Sequence, residues 1–169
     1  MYQLDDLIRE LCDAYQTGTE GAVEAAVHRA VAERPLVADP TRFQVLHDEP
    51  GLTVLHVVVG AGFISPPHDH RTWAVIGVYS GQEDNSFYKL VGETRAIEAA
   101  GGRSVMEREI LTLGVDAIHR IANPRRDPLI ALHVYGRNVL KIERSAWDPV
   151  TMRERPYVAK TDNVVVTED

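Results

Sequence analysis

The chain has 169 residues, 44% of them hydrophobic and 25% charged, enough for one domain with its own core and too apolar for a disordered chain. A net charge of −7 argues against nonspecific nucleic-acid binding, which needs a basic footprint, and no apolar run approaches the roughly 20 residues of a membrane span. The single cysteine, Cys12, excludes an intrachain disulfide and paired-cysteine metal sites. The opening Met1-Tyr2-Gln3-Leu4-Asp5-Asp6 lacks a basic region followed by an apolar stretch, so no secretory signal is expected and the expected compartment is the cytoplasm.

Leu4, Leu7, Ile8, Leu11 and Tyr15 recur at the 3/4 spacing of one helical face, which predicts a helix over 3–15 with Cys12 beside its stripe as a small buried hydrophobe. Thr17-Gly18-Thr19 breaks it. Thr19 is the expected cap of a second helix that buries Val23, Val27 and Val31 and stops at Arg34-Pro35. From residue 41 short runs of Val, Ile, Leu and Tyr alternate with turn residues. They predict strands near 42–48, 52–60, 72–79, 84–91, 94–99, 105–112, 116–121, 129–136 and 138–143, with turns at Glu49-Pro50-Gly51, Ser80-Gly81-Gln82, Gly101-Gly102 and Asn123-Pro124. Many short strands at near-regular spacing indicate an antiparallel sandwich or barrel. The expected organisation is one domain: a helical segment over 1–36, a β-barrel over 40–143, and a polar tail over 144–169 wrapped loosely around it.

Histidine placement carries the chemistry. His68 and His70 follow Pro66-Pro67 and are two apart, so in extended chain both imidazoles face one side and can reach one metal ion. His119 lies in the strand-like Ala117-Ile118-His119-Arg120-Ile121. Fourteen residues later Ala131, His133 and Tyr135 share one strand face. His28, on a helix rich in alanine and charge, and His47, beside Asp48-Glu49, are set aside. His56, alone in an apolar strand, is taken as a structural histidine.

Over residues 40–137 the chain resembles the cupin superfamily and, within it, the bacterial cysteine dioxygenase-like thiol dioxygenases. Gly62, His68, His70 and Gly81 match the first cupin motif; His119 and Asn123 match the second. Cupins generally add a glutamate ligand four or five residues after the second histidine, where this chain has Ala74 and Val75. Thiol dioxygenases also lack that carboxylate. The resemblance implies a mainly β double-stranded β-helix (a cupin, or jelly-roll barrel) with N-terminal helices, and Fe(II) held by His68, His70 and His119. Zn, Ni or Mn are alternative occupants, since imidazole suits several metals.

The resemblance further implies that a small thiol, such as cysteine, 3-mercaptopropionate or cysteamine, reacts with O₂ to give a sulfinic acid. Tyr135 is the expected hydrogen-bond donor to bound oxygen or to a substrate carboxylate, with His133 holding its hydroxyl. An ungapped alignment puts Val75 where mammalian-type enzymes carry a cysteine crosslinked to the tyrosine. Ala131 stands where the family has a serine, which shortens the relay to His133–Tyr135. Arg42, 26 residues before His68, is the expected partner of the substrate carboxylate, with Arg71 ranked second. Trp73 is expected in core or pocket wall, and Glu83 and Asn85 are attributed to the turn after Gly81. The other functional readings are a cupin acting on a different small chelating acid and a non-catalytic ligand sensor. The expected assembly is a monomer or homodimer, without nucleic-acid or membrane partners.

Overall fold

Residues 2–19, 21–35 and 39–159 are described by a computed structural model. Helix α1 (Leu4–Thr17) opens where the Asp6 carboxylate accepts from the Gln3 amide (3.0 Å) and closes at Gly18 in the left-handed region. Helix α2 (Ala22–Glu33) has Gly21, at φ +76°, in its capping position. Thr19 is not its cap; that hydroxyl donates to the Thr17 hydroxyl instead (3.3 Å). Leu7 and Leu11 of α1 and Val27 and Val31 of α2 are fully buried, as the helical stripes predict; Ala26 and Ala30 join them, and Val23 is only partly buried.

Eleven strands follow among the described residues: β1 (Gln44–Glu49), β2 (Leu52–Val59), β3 (His68–Asp69), β4 (Ala74–Ser80), β5 (Gln82–Val91), β6 (Ala96–Met106), β7 (Ile110–Leu113), β8 (Ile118–Ala122), β9 (Leu129–Tyr135), β10 (Ser145–Trp147) and β11 (Glu154–Pro156). They form a five-stranded sheet ordered β1-β2-β9-β4-β7 and a six-stranded sheet ordered β11-β10-β3-β8-β5-β6, antiparallel throughout. The architecture is a double-stranded β-helix behind two helices.

Strands β2, β4 and β9 read as continuous apolar runs because both of their faces are covered. Leu55, Val57, Ala74, Ile76, Val78, Ala131 and Tyr135 turn into the barrel. Their alternates Val54, Val75, Leu132 and Val134 turn outward under the helices. Gly77 marks the closest approach of α2: a Cβ there would lie 2.6 Å from Val31 Cγ1 and 2.7 Å from Val27 Cγ1. Trp73 also faces the helical layer, beside Tyr15.

Three sequence-based boundaries need correction. Gly101-Gly102 is not a turn but lies inside β6, where a bulge opposite Phe87/Tyr88 puts Gly101 at φ +138°. Residues 138–143 form turns rather than a strand. The segment after 144 is not loosely attached: β10 pairs with β3 and β11, and Trp147 is fully buried against Ile97 and Ile118. Residues 160–169 of the expected tail lie outside the described residues. No described helix is long and apolar enough to cross a membrane.

Candidate metal centre

Pro66-Pro67 leads the chain into β3, a strand only two residues long. His68 is the direct cross-strand partner of His119 on β8. His70, one residue beyond the strand, turns to the same side, so the i, i+2 spacing delivers what it predicts. The three imidazoles are buried, with ring centroids 4.8–5.0 Å apart and ligand nitrogens within 4.8 Å of one another.

Hydrogen bonds fix which nitrogen His68 and His119 present. His68 Nδ1 lies 3.0 Å from the Pro66 carbonyl, which can only accept, so Nδ1 carries the proton and the lone pair is on Nε2. His119 Nδ1 lies 2.7 Å from Asn85 Oδ1. Its Nε2 is buried and has no hydrogen-bond partner among the described residues. Burying such an atom unpaired costs free energy, and a metal ion at the focus of the rings would remove that cost. The donor set of three neutral imidazoles fits a divalent transition metal.

Burial, then the neighbouring imidazoles and the Arg144 guanidinium, hold the His70 imidazolium well below its usual range; burial, then His68, His133 and Arg144, do the same for His119. Both rings therefore stay neutral and available as ligands. A linkage consequence follows. Where the folded pKa lies below the unfolded value of about 6.5, the unfolded chain binds more protons and acid favours unfolding. The stability these rings hold is complete above that value and is lost as pH falls from it toward the folded pKa values. The melting temperature of the metal-free protein should therefore drop on acidification from pH 7.5 to 5.5. A flat profile would contradict neutral buried rings.

His133 and Tyr135 reach the same cavity from β9, with His133 Nδ1 3.0 Å from the tyrosine hydroxyl. The Tyr135 ring stands edge-on to His70, centroids 4.9 Å apart. Burial raises the tyrosine pKa, so its hydroxyl keeps its proton at neutral pH. The residue paired with Tyr135 across β4 is Ala74. Val75, which the ungapped alignment sets beside the tyrosine, points under the helices instead. Neither is a cysteine, so no crosslink to Tyr135 can form there.

The cavity between these groups has a volume of about 30 Å³, room for one or two waters. Phe43 lines it, but Arg42, the residue before, is solvent-exposed. Arg71 is exposed too and turns away from His70, its guanidinium donating to Ser145 Oγ (3.1 Å) beside Asp69. The arginine on the cavity is Arg144, which no sequence argument singled out. It donates to the Asp69 carbonyl (3.1 Å) and stacks 3.5 Å from the centroid of the Tyr157 ring, also on the cavity wall. Arg144 and Tyr157 also line a wider outer cavity of about 480 Å³, so they stand between the metal centre and solvent.

Glu83 and Asn85 were missed as well. Strand β5 begins at Gln82, directly after the turn, and alternation puts Glu83, Asn85 and Phe87 on the inward face. Both polar residues are buried. Asn85 Nδ2 donates to Glu83 Oε1 (3.0 Å), and Glu83 Oε2 accepts from His133 Nε2 (3.1 Å). The hydrogen-bonded pair Tyr135–His133 therefore extends through Glu83 to Asn85. The available signal was the i, i+2 spacing of Glu83, Asn85 and Phe87.

No family model matches the chain. Solved structures of similar fold include an oxalate oxidase in complex with the substrate analogue glycolate, at 16% identity over 60% of this chain and 54% of that one, with a TM-score of 0.44. Others are a cupin-family protein from Methanocaldococcus jannaschii (17%; 63% and 90%; 0.49) and a cupin domain from Schizosaccharomyces pombe (13%; 59% and 62%; 0.47). The fold of the chain, two antiparallel sheets forming a double-stranded β-helix, rests on its own strand order. It spans about half the length of the oxalate oxidase it matches.

Proposed function

We propose that this protein is a non-heme iron thiol dioxygenase that converts a small carboxylated thiol, such as cysteine or 3-mercaptopropionate, to its sulfinic acid with O₂. One observation carries the reading. A single small cavity is lined by four imidazoles, three of which converge, with two tyrosine rings and an arginine, and no carboxylate is on its wall among the described residues. Bound iron(II) would bring the thiolate sulfur and O₂ together and supply the oxidising chemistry. Neutral ligands leave the metal's charge uncompensated, which favours an anionic sulfur.

The thiol proton must leave for that sulfur to bind as an anion. Glu83 accepts from His133 Nε2, so the ring offers its Nδ1 lone pair to the Tyr135 hydroxyl. The tyrosine oxygen then takes the thiol proton as its own proton passes to His133 Nδ1. The resulting imidazolium is steadied by the Glu83 carboxylate, and the Tyr135 O–H is left pointing into the cavity as a donor. Cytoplasmic residence and a monomer or homodimer remain part of this reading.

Arg144 replaces Arg42 as the carboxylate partner. A substrate carboxylate buried without a donor would cost several kcal/mol, and a guanidinium fork pairs both of its oxygens. Replacing Arg144 with alanine should raise KM for a carboxylated thiol by roughly 10–100-fold, the ~1.5–3 kcal/mol of a charge-assisted hydrogen bond, and barely change turnover of cysteamine. Equal losses on both substrates would mark Arg144 as structural. The function itself is tested by O₂ uptake of the iron-loaded protein over a panel of small thiols, with the sulfinic acid measured by mass spectrometry. Absence of uptake with every thiol by fully iron-loaded protein would overturn it.

A further inference from the structure

Glu83 is fully buried, yet it is not among the residues that line the cavity. Its two oxygens divide between two partners that are not bonded to each other: Oε1 takes the Asn85 amide and Oε2 takes His133. An ionised carboxylate can only accept. That restriction propagates in both directions. Along one arm, Asn85 has to aim Nδ2 at Glu83, so its Oδ1 faces His119 and requires the proton on Nδ1. The His119 lone pair is then on Nε2, the buried nitrogen without a partner. Along the other arm, His133 has to carry its proton on Nε2, so Nδ1 faces the Tyr135 hydroxyl as an acceptor.

We propose that Glu83 is a positioning residue that sets hydrogen-bond direction at both ends of the site at once, turning His119 Nε2 to the metal through Asn85 and orienting the Tyr135 hydroxyl through His133. The proposal rests on the three-imidazole centre of the preceding reading and is independent of the substrate oxidised there. It also accounts for Ala131. The methyl group there has no hydroxyl to offer His133, and β5 supplies a carboxylate from the neighbouring sheet in its place.

The isosteric Glu83→Gln variant makes a specific demand. Glutamine offers one oxygen and one NH₂ group. If its oxygen keeps the Asn85 amide, the NH₂ meets His133 Nε2 and that ring has to move its proton to Nδ1. If its oxygen keeps His133, the NH₂ faces Asn85, the amide turns over, and His119 has to move its proton to Nε2. In either orientation one ring changes tautomer.

Two-bond ¹H–¹⁵N NMR on histidine-labelled, metal-free protein reads the proton position on each ring. The wild type should show His119 protonated on Nδ1 and His133 on Nε2, and Glu83→Gln should reverse one of them. Asn85→Ala isolates the metal arm. It should weaken Zn²⁺ binding by roughly 10–100-fold, the usual effect of losing an outer partner of a ligating histidine, and leave the His133 tautomer unchanged. The proposal is overturned if both rings keep their tautomers in Glu83→Gln, if the wild-type rings carry their protons on the opposite nitrogens, or if Asn85→Ala binds Zn²⁺ within twofold of wild type. Neither measurement involves a thiol or O₂, so inactivity toward thiols would leave both readouts intact.

Discussion

Replacing His70 with alanine should abolish metal binding at the centre while leaving the fold in place. A divalent ion that three imidazoles would hold loses a third of its protein ligands, so affinity should fall by more than the roughly 10–100-fold that follows loss of an outer partner. Fold stability should respond differently. The wild-type site packs three rings together, and His119 Nε2 there has no hydrogen-bond partner among the described residues. Removing one ring relieves that crowding and leaves the Asn85–Glu83–His133–Tyr135 hydrogen bonds untouched. The melting temperature of the metal-free variant should stay close to that of the wild type. Saturating Zn²⁺ or Fe²⁺, at about 100 times the dissociation constant, should stabilise the wild type by ~2.7 kcal/mol and the variant by almost nothing. Equal stabilisation of both would show that the ion binds elsewhere.

The parts of this centre legible in the sequence are those that short-range spacing encodes. His68 and His70 share a face because extended chain has a period of two, and the same rule groups His133 with Tyr135. His119 is reached through the family resemblance, by its match with Asn123 to the second motif, and the register pairs it directly with His68. Glu83 and Asn85 escaped because a polar residue just after a Ser-Gly turn is ordinarily explained by solvent. Here the turn is so tight that β5 starts at once and its inward face enters the barrel. Arg144 and Tyr157 escaped for a different reason. They belong to the stretch around β10 and β11, strands of three residues each, too short to show any periodicity. What holds them is long-range: the Ala146–His68 pairing and the burial of Trp147. Arg42 illustrates the converse. The ungapped family alignment makes it the expected partner of the substrate carboxylate, but the residue on the cavity wall is its neighbour Phe43.

Changing Tyr135 to phenylalanine should lower turnover of a small thiol by about 10²–10⁴-fold, the range of a lost proton-transfer group, with metal content unchanged. The ring itself should stay where it is, because its edge-on contact with His70 and its place in the barrel core do not involve the oxygen. The fold loses one hydrogen bond to His133, about 0.5–1.5 kcal/mol, so the variant should remain folded at assay temperature. If the hydroxyl works by relaying the thiol proton to His133, its value depends on there being a proton to remove. As pH rises toward the thiol's own pKa, near 8.5 for a cysteine thiol, a growing share of substrate arrives as thiolate and needs no relay. The deficit in kcat/KM should therefore shrink with increasing pH. Burial raises the Tyr135 pKa further above that range, so the wild-type hydroxyl does not itself ionise and distort the comparison. A deficit that stays constant across pH would assign the hydroxyl to orienting the bound ligand rather than to moving its proton. An iron-replete phenylalanine variant with full activity would remove Tyr135 from the mechanism altogether.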